Sequence, residues 1–74
     1  MKKTEVKIAT EYIKLDQLLK FSGLADTGSF AKEMILDGIV FVNSEVCTMR
    51  GKKIRRGDIV SVATDCETVE MTVI

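Results

Sequence analysis

The chain has 74 residues, 46% of them hydrophobic, with eleven Lys/Arg against eleven Asp/Glu and no His, Pro or Trp. That suits one small domain with enough apolar content to fold, and the lack of His removes the commonest general base and the commonest imidazole metal ligand. The zero net charge conceals a basic segment, Arg50, Lys52, Lys53, Arg55 and Arg56, ahead of an acidic one, Asp65, Glu67 and Glu70, so local field matters more than net charge in selecting a partner.

In "EVKIATEYI", Val6, Ile8 and Tyr12 share a period of two, which predicts a short N-terminal strand or extended arm. "KLDQLLKFSG" changes period. Leu15, Leu18 and Leu19 form one helical stripe, and Gly23 can take the left-handed conformation that stops a helix. A second helix is predicted from about Gly28 to Asp37, capped by Thr27 or Asp26, with Ala31, Met34 and Ile35 as its stripe and Gly38 as its end. The link "LADT" is short, so the helices form a pair, and Ala31 is small enough to let them approach closely.

After Gly38 the period becomes two. "IVFVN" is β-rich, with Val40 and Val42 facing one way and Ile39 and Phe41 the other. Asn43-Ser44 is a turn and "EVCTM" the returning strand. "RGKKIRRGD" reads as a charged hairpin loop, "IVSVA" as a strand and "DCE" as a turn. "TVEMTVI" is a final strand with Val69, Met71 and Val73 toward the core. The order predicts an α+β domain spanning 1–74: two packed helices, then a small, mainly antiparallel sheet, with an N-terminal strand or arm.

Cys47 and Cys66 are nineteen positions apart without a CxxC, which is no zinc pattern; both read as small apolar fillers, reduced in a cytoplasmic setting. No metal or other cofactor is expected. The N-terminus lacks the apolar run of a signal peptide, and no stretch approaches the roughly 20 apolar residues of a membrane span. Cytoplasm is the expected location, with no membrane or small-molecule partner.

Two segments carry candidate chemistry. "DTGS", residues 26–29, spells the tetrapeptide at the catalytic aspartate of pepsin-like and retroviral proteases. Those enzymes need two carboxylates sharing a proton at loop tips between strands. Here a helical pattern, "FAKEMILDG", follows instead, so a capping turn is the better reading and no enzyme is expected. As a helix start, Thr27, Gly28 and Ser29 present free backbone N–H groups that suit a phosphate, although no GxxxxGK[ST] supports a nucleotide hydrolase. The second segment is the basic run 50–56, whose five cations suit either a solvated loop or a phosphate-contacting edge. Lys14, Lys20 and Lys32 would join it in one basic face if the helices pack beside the hairpin.

Taken in order, these pieces resemble the alpha-L RNA-binding domain, the S-four-type domain named after a ribosomal small-subunit protein. The matching residues are Lys14-Leu15-Asp16, Leu18-Leu19, Gly23, Thr27 onward with Lys32, Gly38, Val40-Phe41-Val42-Asn43 and Gly57-Asp58-Ile59-Val60, covering 13–62. "TGSFAK" with "RGKK" looks most like the short stand-alone bacterial subgroup called YaaA-like. The resemblance implies binding of structured RNA, ribosomal or tRNA-like, with the ribosome as one expected partner, through the two helices and adjoining hairpin. It marks Lys14, Thr27, Gly28, Ser29, Lys32, Asn43, Arg50, Lys52 and Lys53 as RNA-binding positions; Arg55 and Arg56 join them from the basic run. Many members have Ser-Arg where this chain has Thr27-Gly28, and Asn-Gly where it has Asn43-Ser44. With one Tyr and three Phe, and Phe30 or Phe41 assigned to the core, little base stacking is expected. The alternative reading is a protein-interaction module using the basic loop or a sheet edge.

Overall fold

The computed structural model describes residues 2–74. Strand β1 (Lys2–Val6) and the short β2 (Tyr12–Lys14) precede the helices α1 (Leu15–Phe21) and α2 (Gly28–Leu36). Strands β3 (Val40–Val42), β4 (Glu45–Val46), β5 (Lys53–Arg55), β6 (Ile59–Ala63) and β7 (Thr68–Val73) follow. Five strands form one sheet in the order β1-β7-β6-β3-β4, while β2 and β5 make a separate two-stranded ribbon. The large sheet is mixed: β1 runs parallel to β7, and the other neighbours are antiparallel.

The helices form where the apolar period requires. Leu15, Leu18 and Leu19 of α1 and Ala31, Met34 and Ile35 of α2 are buried, and Ala31 sits in the core with no exposed surface. Thr27 is the α2 cap: its hydroxyl accepts from the Phe30 N–H at 3.1 Å. Asp26 is an exposed turn residue. Strand β7 alternates as its sequence demands, with Val69, Met71 and Val73 inward. The buried side chains of both helices and of β7 join one apolar cluster with Val40, Val60, Val62 and Ile54.

Four sequence expectations change. Tyr12 does not continue the strand of Val6; residues 7–11 separate β1 from β2, because β1 pairs with β7 and β2 with β5. The "RGKKIRRGD" segment is not all loop: its middle is strand β5, and Ile54 has no exposed surface while both neighbours are exposed. The return strand after Asn43-Ser44 is two residues long, and the chain leaves it at Cys47, whose N–H still donates to the Val40 carbonyl at 2.9 Å. Cys47 is the buried filler expected, but Cys66 is exposed, because it lies between β6 and β7 with nothing packed over it.

The β3–β4 turn shows how a local exception is accommodated. Val42 pairs with Glu45, leaving a two-residue loop, and Asn43 and Ser44 have φ of 51° and 73°. Positive φ at both positions is the signature of the tight hairpin turn whose twist matches its strands. Asn tolerates this conformation; Ser is strained in it. Ser44→Gly is therefore expected to stabilise the protein by about 0.5–1 kcal/mol, the relieved strain less the added entropy of the unfolded chain. A urea unfolding midpoint that falls in the variant would contradict this account.

Candidate nucleic-acid interface

The β2–β5 ribbon organises the basic residues. Opposed residues share a face, and the register sets Tyr12 against Arg55, Ile13 against Ile54 and Lys14 against Lys53. Alternation then sorts them: Ile13 and Ile54 turn to the core, while Tyr12, Lys14, Lys53 and Arg55 occupy the other face. All four are exposed. The Lys53 ammonium lies 5.0 Å from the Tyr12 ring centroid and the Arg55 guanidinium carbon 6.0 Å. Both distances bring a cation to the electron-rich ring.

The turn before β5 adds two cations and locks the ribbon to α1. Lys14 occupies the N-cap position of α1 but makes no side-chain cap bond. Backbone carbonyls of the basic turn cap the helix instead. The Leu15 N–H donates to the Lys52 carbonyl at 2.9 Å and the Asp16 N–H to the Arg50 carbonyl at 3.2 Å. These bonds satisfy helix-end donors that would otherwise lack partners. Arg50 and Lys52 thus stand at the start of α1 with their side chains exposed. Lys20 sits in the last turn of α1, where a cation is favoured by the negative end of the helix dipole.

Helix α2 carries the second group. Thr27 caps it, Ser29 belongs to its first turn, and Lys32 lies one turn in and is exposed. The Thr27 hydroxyl takes the Phe30 N–H and the Thr27 carbonyl takes the Ala31 N–H, which leaves the Gly28 and Ser29 N–H groups as the outward donors. A Cβ at Gly28 would meet nothing within 4 Å, so crowding is not what keeps the position glycine. Helix α1 contacts both α2 and β2, and it is the link between the two basic groups.

Two marked residues have internal work. The Asn43 amide nitrogen donates to Asp58 Oδ1 at 3.2 Å, and its oxygen accepts the Ile59 N–H at 3.0 Å. The other Asp58 oxygen accepts the Arg55 N–H at 2.9 Å. The bonds fasten the β3–β4 turn to the Arg55–Asp58 turn, where Gly57 has φ 94°. Arg56 points elsewhere: its Nη2 donates to the Ile8 carbonyl at 2.9 Å, holding the β1–β2 connection. Lys14, Lys53 and Arg55 are therefore brought together with Arg50 and Lys52 nearby in the chain, while Asn43 and Arg56 serve the scaffold.

Sequence reasoning missed Tyr12 as part of this surface. The signal was present: Tyr12 stands two residues before Lys14, so a strand there must put both on one face. Of the two core alternatives Phe30 and Phe41, Phe30 is 47% exposed, since it flanks the buried stripe of α2 without belonging to it. Among the described residues no cluster of three or more His, Cys, Asp or Glu could hold a metal ion, and no helix is long and apolar enough to cross a membrane.

Comparison with known proteins gives a family and a relative. The family model of the S4 domain fits residues 6–71. The chain is also 37% identical, over 57 residues, to a Bacillus subtilis (strain 168) protein named "Probable ribosome maturation protein RlbA". That alignment covers 77% of this chain and 80% of the relative.

Proposed function

The chain belongs to the S4 domain family, and we propose that it binds structured RNA, ribosomal or tRNA-like, by gripping the phosphate backbone with the exposed face of the β2–β5 ribbon. One observation carries this reading: Lys14 and Lys53 stand directly opposite each other on that face, with Arg55 beside them. Like charges in directly opposed positions work against the sheet, and a cation at a helix N-terminus works against the dipole. Folding alone gains nothing from either placement; a bound polyanion relieves both.

The mechanism is electrostatic and shape-based. Lys14, Lys53 and Arg55, with Arg50 and Lys52 from the adjoining turn, neutralise successive phosphates. The α2 start offers the Gly28 and Ser29 N–H groups, and Lys32, to a further segment of backbone. Structured RNA is read largely through such backbone and 2′-hydroxyl contacts. The name of the Bacillus relative supports a role in ribosome maturation, and the proposed activity is binding rather than catalysis.

The test is the salt dependence of binding to a folded ribosomal RNA fragment. Three neutralised phosphates give a log–log slope of about −2 to −3 at least. Affinity indifferent to salt would overturn the proposal. An acidic protein surface would also suit these cations, and Val46 and Met49 are exposed on and just after the edge strand β4. Capture of a partner that survives ribonuclease treatment would favour that second reading, whereas loss on treatment favours RNA.

A further inference from the structure

The proposed RNA-binding face contains one residue that phosphate chemistry does not explain. Tyr12 is a large aromatic on an exposed ribbon face, 36% accessible, in a position where a polar or β-branched residue would complete the strand equally well. Its backbone is fixed twice over: it pairs with Arg55, and its carbonyl accepts the Thr10 hydroxyl at 2.6 Å. Lys53 and Arg55 both approach the ring. The result is an aromatic ring on a fixed stretch of backbone, with two long, mobile cationic side chains over it that an incoming base can displace toward its phosphates.

We infer that Tyr12 is a stacking platform for an unpaired base, and that the RNA preferred by this face carries a bulged or looped nucleotide where the ribbon meets it. This rests on the RNA-binding reading above and adds a requirement to it. A base in a continuous duplex is stacked on both sides and offers no face to Tyr12. An extruded base offers its π face, and its flanking phosphates then lie beside Lys53 and Arg55. Stacking on an aromatic side chain accepts any base, so Tyr12 selects for RNA shape rather than for sequence. Phe21 is more exposed, at 66%, but it ends α1 and lies outside the ribbon.

The experiment uses two fluorescein-labelled RNA hairpins, one with a single unpaired adenine in mid-stem and one without it. Anisotropy gives the affinity of each. Tyr12 is the protein's one tyrosine and there is no tryptophan, so the intrinsic emission of the protein, read with unlabelled copies of the hairpins, reports on this ring alone. The bulged hairpin should quench Tyr12 emission and bind more tightly than its continuous counterpart. Tyr12→Leu should weaken the bulged complex about tenfold or more and the continuous one by a much smaller factor. Tyr12→Phe should retain the preference, and thermal unfolding should show all three proteins folded.

If Tyr12→Leu weakens both complexes equally, Tyr12 only positions Lys53 and Arg55, and the inference falls. It falls too if the parent binds both hairpins alike with normal salt dependence, in which case RNA binding stands without a stacking site. Failure to bind either hairpin at low salt would remove the RNA-binding reading and this inference together.

Discussion

Ile54→Ala is expected to lower the unfolding free energy by about 2–5 kcal/mol, the usual cost of emptying a buried aliphatic site. A chain of this length has only about 4–11 kcal/mol in total, so a large fraction of the variant should unfold on mild heating. The expectation is unusual for where it falls. Ile54 stands between Lys53 and Arg55 in the most charged stretch of the chain, yet it has no exposed surface. Through it the basic face is anchored to the core: Ile54 opposes Ile13 across the ribbon, and Ile13 packs against the same cluster. RNA affinity should therefore fall along with stability. Urea unfolding followed by circular dichroism checks the first effect; a loss below about 1 kcal/mol would show that the ribbon is not held through this side chain.

Lys14→Glu should separate the two properties. The substitution turns a like-charge pair with Lys53 into an opposite one and places an anion at the positive end of α1. Each change favours the fold by a few tenths to about 1 kcal/mol. On the proposed function, the same change removes a phosphate contact and adds repulsion. RNA affinity should drop about tenfold at moderate salt, and the salt slope should become shallower by about 1. A variant that is less stable but binds as well as the parent would show that Lys14 serves the fold. The expected opposite movement is the ordinary signature of a residue kept for binding at some cost to stability.

The helices were legible because each carries its own signal. The stripe of Leu15, Leu18 and Leu19 and that of Ala31, Met34 and Ile35 need no knowledge of the rest of the chain, and the Thr27 cap acts within three residues of itself. The long strand β7 announces itself by strict alternation. Strand β5 does not, because three residues flanked by cations have no period to detect. Its partner β2 lies about forty residues earlier, and only that pairing makes it a strand. The cations could be named from the sequence, but their grouping depends on register. Lys53 and Arg55 share a face with Lys14, while Arg56, one position later, is turned to the Ile8 carbonyl. Asn43 is marked for RNA binding by the resemblance alone, and its bond to Asp58, fifteen positions away, is not visible to a local reading. The resemblance to the RNA-binding domain marked these residues as one pattern; the hydrogen bonds show that part of the pattern maintains the fold.

The parallel pairing of β1 with β7 has a consequence for how the protein is made. Lys2 is matched with Val69 and Val6 with Val73, so β1 waits for a partner sixty-seven positions later in the chain. At about 5–20 residues per second, the intervening chain takes roughly 3–13 s to appear. During that interval the other edge of the sheet and the helix pair can already assemble around Leu18, Leu19 and Ile35, while Val6 remains without its neighbour. The sheet gains its β1 edge by joining two segments sixty-seven positions apart, so that edge forms only after β7 has been made.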